Sequence, residues 1–265
     1  MIHETAIVDA GTEIGQNVSI GPWSIVGPGV VLGDNVTIAS SVVLKGPSVI
    51  GAGVHIFQFA TVGEDTPALA YAGEASTLEI GPNTIIREGV TIHRGMDRGG
   101  IGKTVVGSNC LLRAYVHVGH DCVVGDHVIM ANNASLAGHV MVGDYANLGG
   151  YAGIPQFRQI GSCAHVAAMS LVTKDVPAYM TVAGNPASAI ALNAEGMRRR
   201  GLSEDATAAL KEAHRLVYRK GMRTEQAIDE MATLRAQFQE VDTFAASIEA
   251  SSRGIIRPRA SGSAA

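Results

Sequence analysis

Residues 106–148 read VGSNCLLRAYVHVGHDCVVGDHVIMANNASLAGHVMVGDYANL, with an apolar side chain at every sixth position: Val106, Leu112, Val118, Val124, Met130, Leu136, Val142 and Leu148. The series continues through Ile154, Ile160 and Val166 to Val172, twelve positions in all. Upstream, eleven positions run without a miss from Ile2 through Val8, Ile14, Ile20, Val26, Leu32, Ile38, Leu44, Ile50 and Ile56 to Val62, and the same phase returns at Ile80, Ile86 and Ile92. Eleven, three and twelve make 26 hexads. A period of six is neither the 3.6 of a helix nor the two of an amphipathic strand. It fits a short strand, a turn and another short strand, with one aliphatic per hexad pointing into a narrow core. Three hexads then close a triangular coil of eighteen residues, and coils stack at the ~4.8 Å strand spacing. An all-β sandwich would instead place turn signals every ~8–12 residues.

Glycine follows the aliphatic at Gly15, Gly21, Gly33, Gly51, Gly81, Gly107, Gly119, Gly125, Gly143 and Gly161, among others. The chain holds 32 glycines in 265 residues, against about 19 at the average usage of ~7%. Glycine is expected at these positions because it accepts unusual backbone angles at each corner. Apolar residues make up 46% and charged residues 17%, too much hydrophobic surface for a disordered chain. Residues 1–190 carry eight Lys and Arg against fourteen Asp and Glu, and residues 191–265 carry twelve against ten. Neither balance is the strong positive field that a nucleic-acid backbone demands. Three cysteines without a C-x-x-C pair fit a reducing compartment better than a disulfide framework. With no basic-then-apolar leader and no run near ~18 apolar residues, a cytoplasmic protein with no stable membrane insertion is expected.

The hexads assign residues 1–186 to an all-β solenoid, and the interruptions at 63–79 and 94–104 to loops protruding from it. Beyond Pro177 the composition shifts to Ala, Glu, Arg, Leu and Met, and residues 187–256 are expected to form a helical domain. Its helices are expected at 193–200, from a Ser203 cap to about Arg219, from a Thr224 cap to about Phe238, and over 241–252. The tail 257–265 has no apolar anchor and is expected to be disordered.

Five of the nine histidines, His93, His117, His120, His127 and His139, fall in the coils beside the two loops. Stacking by eighteen sets Gly138 and then Gln156 over His120, with Asp121 beside His120 and His139 beside Gly138. A base, an orienting carboxylate and a backbone amide in one patch suit acyl transfer: histidine takes a proton from an acceptor hydroxyl while an N–H meets the oxyanion forming on a thioester. No G-x-S-x-G motif supplies a serine nucleophile, so direct transfer is the simpler route. A lone histidine on such a face is ordinarily only solvated, and three from neighbouring coils could instead hold zinc. Arg198, Arg199 and Arg200 could grip a diphosphate, or could simply favour the helix C-terminus as solvated cations.

Taken together, Ile92-His93-Arg94-Gly95, His117-Val118-Gly119-His120-Asp121-Cys122, Asn132-Asn133, Leu136-Ala137-Gly138-His139 and Glu195-Gly196-Met197-Arg198-Arg199-Arg200-Gly201 resemble the acyl-carrier-protein:UDP-N-acetylglucosamine O-acyltransferases that begin lipid A synthesis. The resemblance covers nearly the whole chain. It implies a left-handed parallel β-helix with a C-terminal helical domain, assembled as a homotrimer with sites between subunits. It also implies transfer of a 3-hydroxyacyl chain from acyl carrier protein to the 3-hydroxyl of a UDP-sugar, with no metal and no cofactor. By matching position, His120 resembles the general base, Asp121 its partner and Gly138 the oxyanion donor. His117, His139 and Gln156 resemble substrate contacts, and Asn193, Glu195, Arg199 and Arg200 the nucleotide and carrier contacts. Ala167, Ala168 and Met169 fall where the acyl groove is shaped.

Two departures stand out. The family carries an acid, a leucine and a lysine before Tyr71-Ala72-Gly73-Glu74, where this chain reads Ala68-Leu69-Ala70, and a histidine where this chain has Pro155. Losing such a contact costs roughly 1–3 kcal/mol, or about one to two decades in affinity. A divergent relative that keeps the transfer chemistry, and either recognises a modified acceptor or binds UDP-N-acetylglucosamine weakly, is therefore expected; a catalytically weak scaffold homologue and a hexapeptide-repeat zinc enzyme are the alternatives.

Overall fold

In the computed structural model, which describes residues 1–259, two-residue strands separated by turns wind into a three-sided parallel β-helix. The first sheet holds eight strands, beginning at Ile7–Val8 and ending at Gly153–Ile154. The second holds eight from Glu13–Ile14 to Gln159–Ile160, and the third ten, from Ser19–Ile20 through His165–Val166 to Met180–Gly184 and Ala187–Leu192. Residues eighteen apart pair in register, as Ile7 with Ile25, Val123 with Met141 and Leu148 with Val166.

Two positions per hexad face inward, one more than the sequence pattern suggested. Besides the periodic aliphatic, the residue two before it is buried, as at Val18, Val36, Val54, Val90, Val116, Val128 and Val140. Cys110 and Cys122 occupy this second column, so these cysteines are core residues. At position 158 the column carries half-buried Arg158, whose Nε and Nη1 find no partner among the described residues.

The glycines serve a different purpose from the one expected. At Gly15, Gly33, Gly51 and Gly81 an added Cβ would stand 2.5–2.7 Å from the backbone of the next coil, so what they permit is close stacking. Positive φ falls two residues later and mostly on other residue types, including Asn17, Trp23, Asn35, Tyr115, Asp121, His127, His139, Tyr145 and Phe157. A left-handed residue costs about 1–2 kcal/mol when it carries a side chain. Here the twist turns its N–H onto the preceding coil: Asn35 donates to the Gln16 carbonyl at 2.7 Å, His127 to that of Ser108 at 2.8 Å and Tyr145 to that of Asp126 at 2.9 Å.

The protruding segments are narrower than the interruptions of the period, because strands Thr61–Glu64 and Thr77–Ile80 claim both ends of the first and Lys103–Val106 the far end of the second. What stands out from the prism is 65–76 and 94–102. The helical part also begins later than position 187, since Ala187–Leu192 pairs antiparallel with Met180–Gly184 in the third sheet. Helix α1 (Ala194–Arg199) starts from the Asn193 cap, and α2 (Glu204–Tyr218) from Ser203, whose Oγ accepts from Ala206 N at 3.1 Å. The expected third helix is two, α3 (Thr224–Glu230) and α4 (Ala232–Gln237), broken at Met231; Thr224 is its first turn, and Arg223 holds the cap position. Helix α5 (Gln239–Glu249) closes the end of the prism, with Ser247 Oγ accepting from Ala178 N at 2.9 Å. The expected tail is partly anchored: Arg257 donates to the Val217 carbonyl at 2.7 Å and to Thr224 Oγ1 at 2.9 Å, while 260–265 lie outside the described residues. No helix among the described residues is long and apolar enough to cross a membrane.

Replacing Gly81 by Ala, against a backbone carbon at 2.5 Å, is expected to destabilise the fold by about 1–3 kcal/mol, read by thermal melting. Gly27→Ala, with its nearest foreign atom at 3.5 Å, is expected to leave the melting point unchanged.

Candidate active site

His120, Asp121 and Gly138 meet at the corner where the chain turns from the first sheet into the second. The hexad puts Val118 and Val124 inward on either side, so residues 119–122 must make the turn. His120 is 6% exposed and Asp121 2%. His120 Nδ1 lies 2.7 Å from Asp121 Oδ2. Asp121 is held in turn by the 94–102 segment: its Oδ1 accepts from Ile101 N at 2.8 Å and Gly102 N at 3.1 Å, its Oδ2 from Met96 N at 3.1 Å. Its own N–H donates to Thr104 Oγ1 at 2.8 Å. With Nδ1 engaged by the carboxylate, the free nitrogen of His120 is Nε2. Nε2 faces the next coil at Gly138, where a Cβ would approach it to 2.5 Å. The Gly138 N–H has no acceptor among the described residues.

The neighbouring imidazoles assemble around this pair. His139 meets His120 edge-on, ring centroids 4.8 Å apart, and stacks flat on Phe157 at 4.4 Å. Arg253 lies over the other side of the column, 4.9 Å from the Phe157 ring. His117 shares a hydrogen bond with Thr91 Oγ1 at 2.8 Å and meets His93 edge-on at 5.4 Å. Burial, then the nearby imidazoles, lower the His117 pKa; burial, opposed in part by Asp121, lowers that of His139. Gln156 is exposed at the same corner, beside Pro155. Burial pushes the Cys122 thiol up to about 12 and Cys110 to about 11, which leaves neither as a thiolate nucleophile.

His127 does not join this group. It lies at the corner between the second and third sheets, stacked on Tyr145 at 4.6 Å, in a cleft of about 370 Å³ lined also by His165, Asn193, Glu195, Arg199 and Arg200. There Arg200 sits 4.2 Å from the centre of the Tyr145 ring. Asn193 is held at both ends of its amide, by Gly196 N at 3.0 Å and the Cys163 carbonyl at 2.8 Å. Glu195 accepts from Arg198 at 2.8 Å and Arg199 at 2.7 Å, and these guanidinium groups pull its carboxyl down to about 2. Ala167, Ala168 and Met169 form part of the remaining corner, between the third and first sheets, with Met169 largely exposed. The sequence-derived residues thus occupy three separate corners of one chain.

The sequence reading quoted Arg94 in a motif and gave it no role. Buried Arg94 binds the Gly63 carbonyl and the Asp65 carboxylate, tying the base of the first protruding segment to the start of the second. Asp65 is engaged by Arg94 and by Tyr71 Oη at 3.2 Å. An arginine directly after a strand histidine, opposite an insertion, was the available signal. As for metals, ligand atoms of His120, Asp121 and His139 lie within 4.8 Å of one another. The Asp121 oxygens already accept three N–H groups and face His120 Nδ1, so an ion would have to displace them.

A prism of hexapeptide coils, with a histidine–aspartate pair set into one corner, places the chain in the hexapeptide-repeat class. The bacterial transferase hexapeptide model matches residues 11–46 and 103–138, and the model for UDP-N-acetylglucosamine O-acyltransferase, domain 2, matches 175–256. A relative from Saccharophagus degradans, named as an acyl-(acyl-carrier-protein)-UDP-N-acetylglucosamine O-acyltransferase, is 52% identical over 97% of this chain and 99% of its own. One of the same name from Stutzerimonas stutzeri is 50% identical over the same shares. The structure of LpxA from Acinetobacter baumannii is 44% identical and superposes with a TM-score of 0.94 over 97% of this chain and 99% of that one. The chain belongs to the UDP-N-acetylglucosamine O-acyltransferase family and is an O-acyltransferase.

Because burial lowers the His117 and His139 pKa below the 6.5 of the unfolded chain, acid draws protons onto the unfolded state first. Stability at these sites is fully present above about pH 6.5 and declines as pH falls toward the lowered folded values. Denaturant melts from pH 7.5 to 5.5 are expected to show a shallower decline in His139→Gln than in the parent.

Proposed function

We propose that the protein transfers a 3-hydroxyacyl chain from acyl carrier protein to the 3-hydroxyl of UDP-N-acetylglucosamine or a related UDP-sugar, as in the opening step of lipid A synthesis. His120 acts as general base. The observation that carries this reading is the buried His120–Asp121 pair aimed by Nε2 at Gly138, together with the activity for which relatives at about half identity over nearly the whole chain are named.

The sugar O3–H gives its proton to Nε2 as O3 attacks the thioester carbonyl. The new O3–C bond forms, the carbonyl π pair moves onto oxygen, and the Gly138 N–H donates to that oxyanion. Collapse breaks the C–S bond, and imidazolium returns its proton to the leaving sulfur. Asp121 keeps Nδ1 protonated and the ring oriented throughout. Cysteines locked as thiols favour this direct route over an acyl-enzyme.

In this reading His117, His139 and Gln156 contact the substrates, Asn193, Glu195, Arg199 and Arg200 serve the nucleotide and the carrier, and Ala167, Ala168 and Met169 bound the acyl groove. The three groups sit at three different corners of one chain, which favours a homotrimer whose seams bring one copy's histidines to another copy's arginine cleft. The reaction belongs in the cytoplasm, where carrier thioesters and nucleotide sugars are both at hand.

With 3-hydroxyacyl carrier protein and UDP-N-acetylglucosamine, His120→Ala is expected to lower kcat by about 10²–10⁴-fold; unchanged turnover refutes the general-base role. No acylated protein is expected by mass spectrometry during turnover. The alanines at 68 and 70 and Pro155 favour weakened or altered acceptor recognition. Ala68→Asp with Ala70→Lys is accordingly expected to lower KM for UDP-N-acetylglucosamine by roughly 10–100-fold, whereas carrier binding without transfer to any UDP-sugar would mark a scaffold homologue.

A further inference from the structure

The segment 94–102 is an insertion in the β-helix whose backbone amides are spent on one side chain. Met96, Ile101 and Gly102 all direct their N–H groups at the Asp121 carboxylate. Successive amides converging in this way form a concave anion site, and the anion it encloses here is the protein's own aspartate. Two glycines make that closure sterically possible. At the neck, a Cβ on Gly95 would stand 2.5 Å from the Gly102 carbonyl carbon, so the two ends of the segment touch only because Gly95 lacks one. On the floor, a Cβ on Gly100 would collide with the Met96 carbonyl and with the Asp121 carboxylate, whose Cγ would lie at 2.6 Å. Gly100 needs no left-handed backbone, unlike Gly99 and Gly102, whose φ values are +80° and +76°. Its requirement is therefore close approach, both to the Met96 carbonyl of its own segment and to the Asp121 carboxylate.

We propose that Gly100 is a positioning residue: by letting the segment close on Asp121, it fixes the carboxylate that holds His120 in its Nδ1–H form, with Nε2 free toward Gly138. Thr104 completes the cradle from below by accepting the Asp121 N–H at 2.8 Å. Asp121 is thus clamped from its main chain and its side chain, and a carboxylate so clamped has one remaining direction in which to face the imidazole. Partners that orient a histidine at metal sites typically contribute roughly 10–100-fold to affinity or activity, and an effect of that order is expected here. This inference rests on His120 being the base for its kinetic consequence, though not for its structural one.

The test uses the full-length protein. Gly100→Ala and Thr104→Val are expected to lower kcat by roughly 10–100-fold with KM for each substrate unchanged, and Thr104→Ser, which keeps the acceptor, to restore the parent value. In ¹⁵N-histidine spectra, the hydrogen-bonded Nδ1–H signal that disappears in His120→Gln is expected to weaken or vanish in Gly100→Ala and Thr104→Val, and to persist in Thr104→Ser. Should Gly100→Ala fail to fold, the Thr104 pair carries the test. Parent-like kcat together with a parent-like Nδ1–H signal in the altered variants overturns the proposal. Retained turnover in His120→Ala refutes the general-base reading separately, and the spectra still decide whether the segment sets the form of His120.

Discussion

The amide of Gly119 donates to the carbonyl of Leu136 at 2.9 Å, seventeen residues on, and the same step joins Gly15 to Leu32 and Gly143 to Ile160 at 2.8 Å. Repeated around the prism, this bond carries the pairing of residues eighteen apart, and every side-chain neighbourhood in the β-helix follows from it. It also explains the glycines. Adjacent coils are held so close at these turns that the position after the periodic aliphatic often has no room for a Cβ. The left-handed turn residues answer the same demand, pointing their N–H groups back to the coil before. Sheets elsewhere choose partners through side-chain pattern; here the coil length chooses them.

A catalytic-looking constellation arises from that arithmetic with little further design. His120 and Gly138 stack because eighteen residues separate them, and His139 and Phe157 continue the same corner upward. What the ladder cannot do is hold a carboxylate in the geometry an imidazole needs. Material outside the repeat supplies this, with the second inserted segment enclosing Asp121 and Arg94 bracing that segment against the first. The regular part of the molecule therefore sets spacing, and the irregular part sets orientation.

Much of this is legible in the hexads. Period, coil length, the two interruptions and the stacking of Gly138 on His120 all follow from counting, since a solenoid turns sequence separation directly into distance. Other features require coordinates. The inward role of Val18 and its equivalents is hidden because the position also accepts Thr84, Thr104, Cys110 and Ser24, which blur an aliphatic pattern. His127 resembles a member of the histidine cluster by proximity in sequence, yet six residues beyond Asp121 the chain has already turned to another face, and a whole side of the prism separates it from His120. The Thr224 cap fails because threonine one residue inside a helix reads much like threonine at its start. The amides that hold Asp121 leave no trace in side-chain chemistry; the glycines at 95, 99, 100 and 102 are their mark in the sequence.

The coils that carry the two insertions rejoin the ladder, with one irregularity between Val62 and Glu64 where the first insertion leaves. Val62 pairs with Ile92 thirty residues later, Ile92 with Val118 after twenty-six, and Val118 with Leu136 after the usual eighteen. Extra chain leaves the prism at a turn and returns to the same strand position, so the stack above and below never registers its length. Closing a flexible loop of twice the size costs only about 0.6 kcal/mol more. The coils thus tolerate excursions of differing length, but the two are not equally disposable: rewriting 94–102 would also release the carboxylate that faces His120.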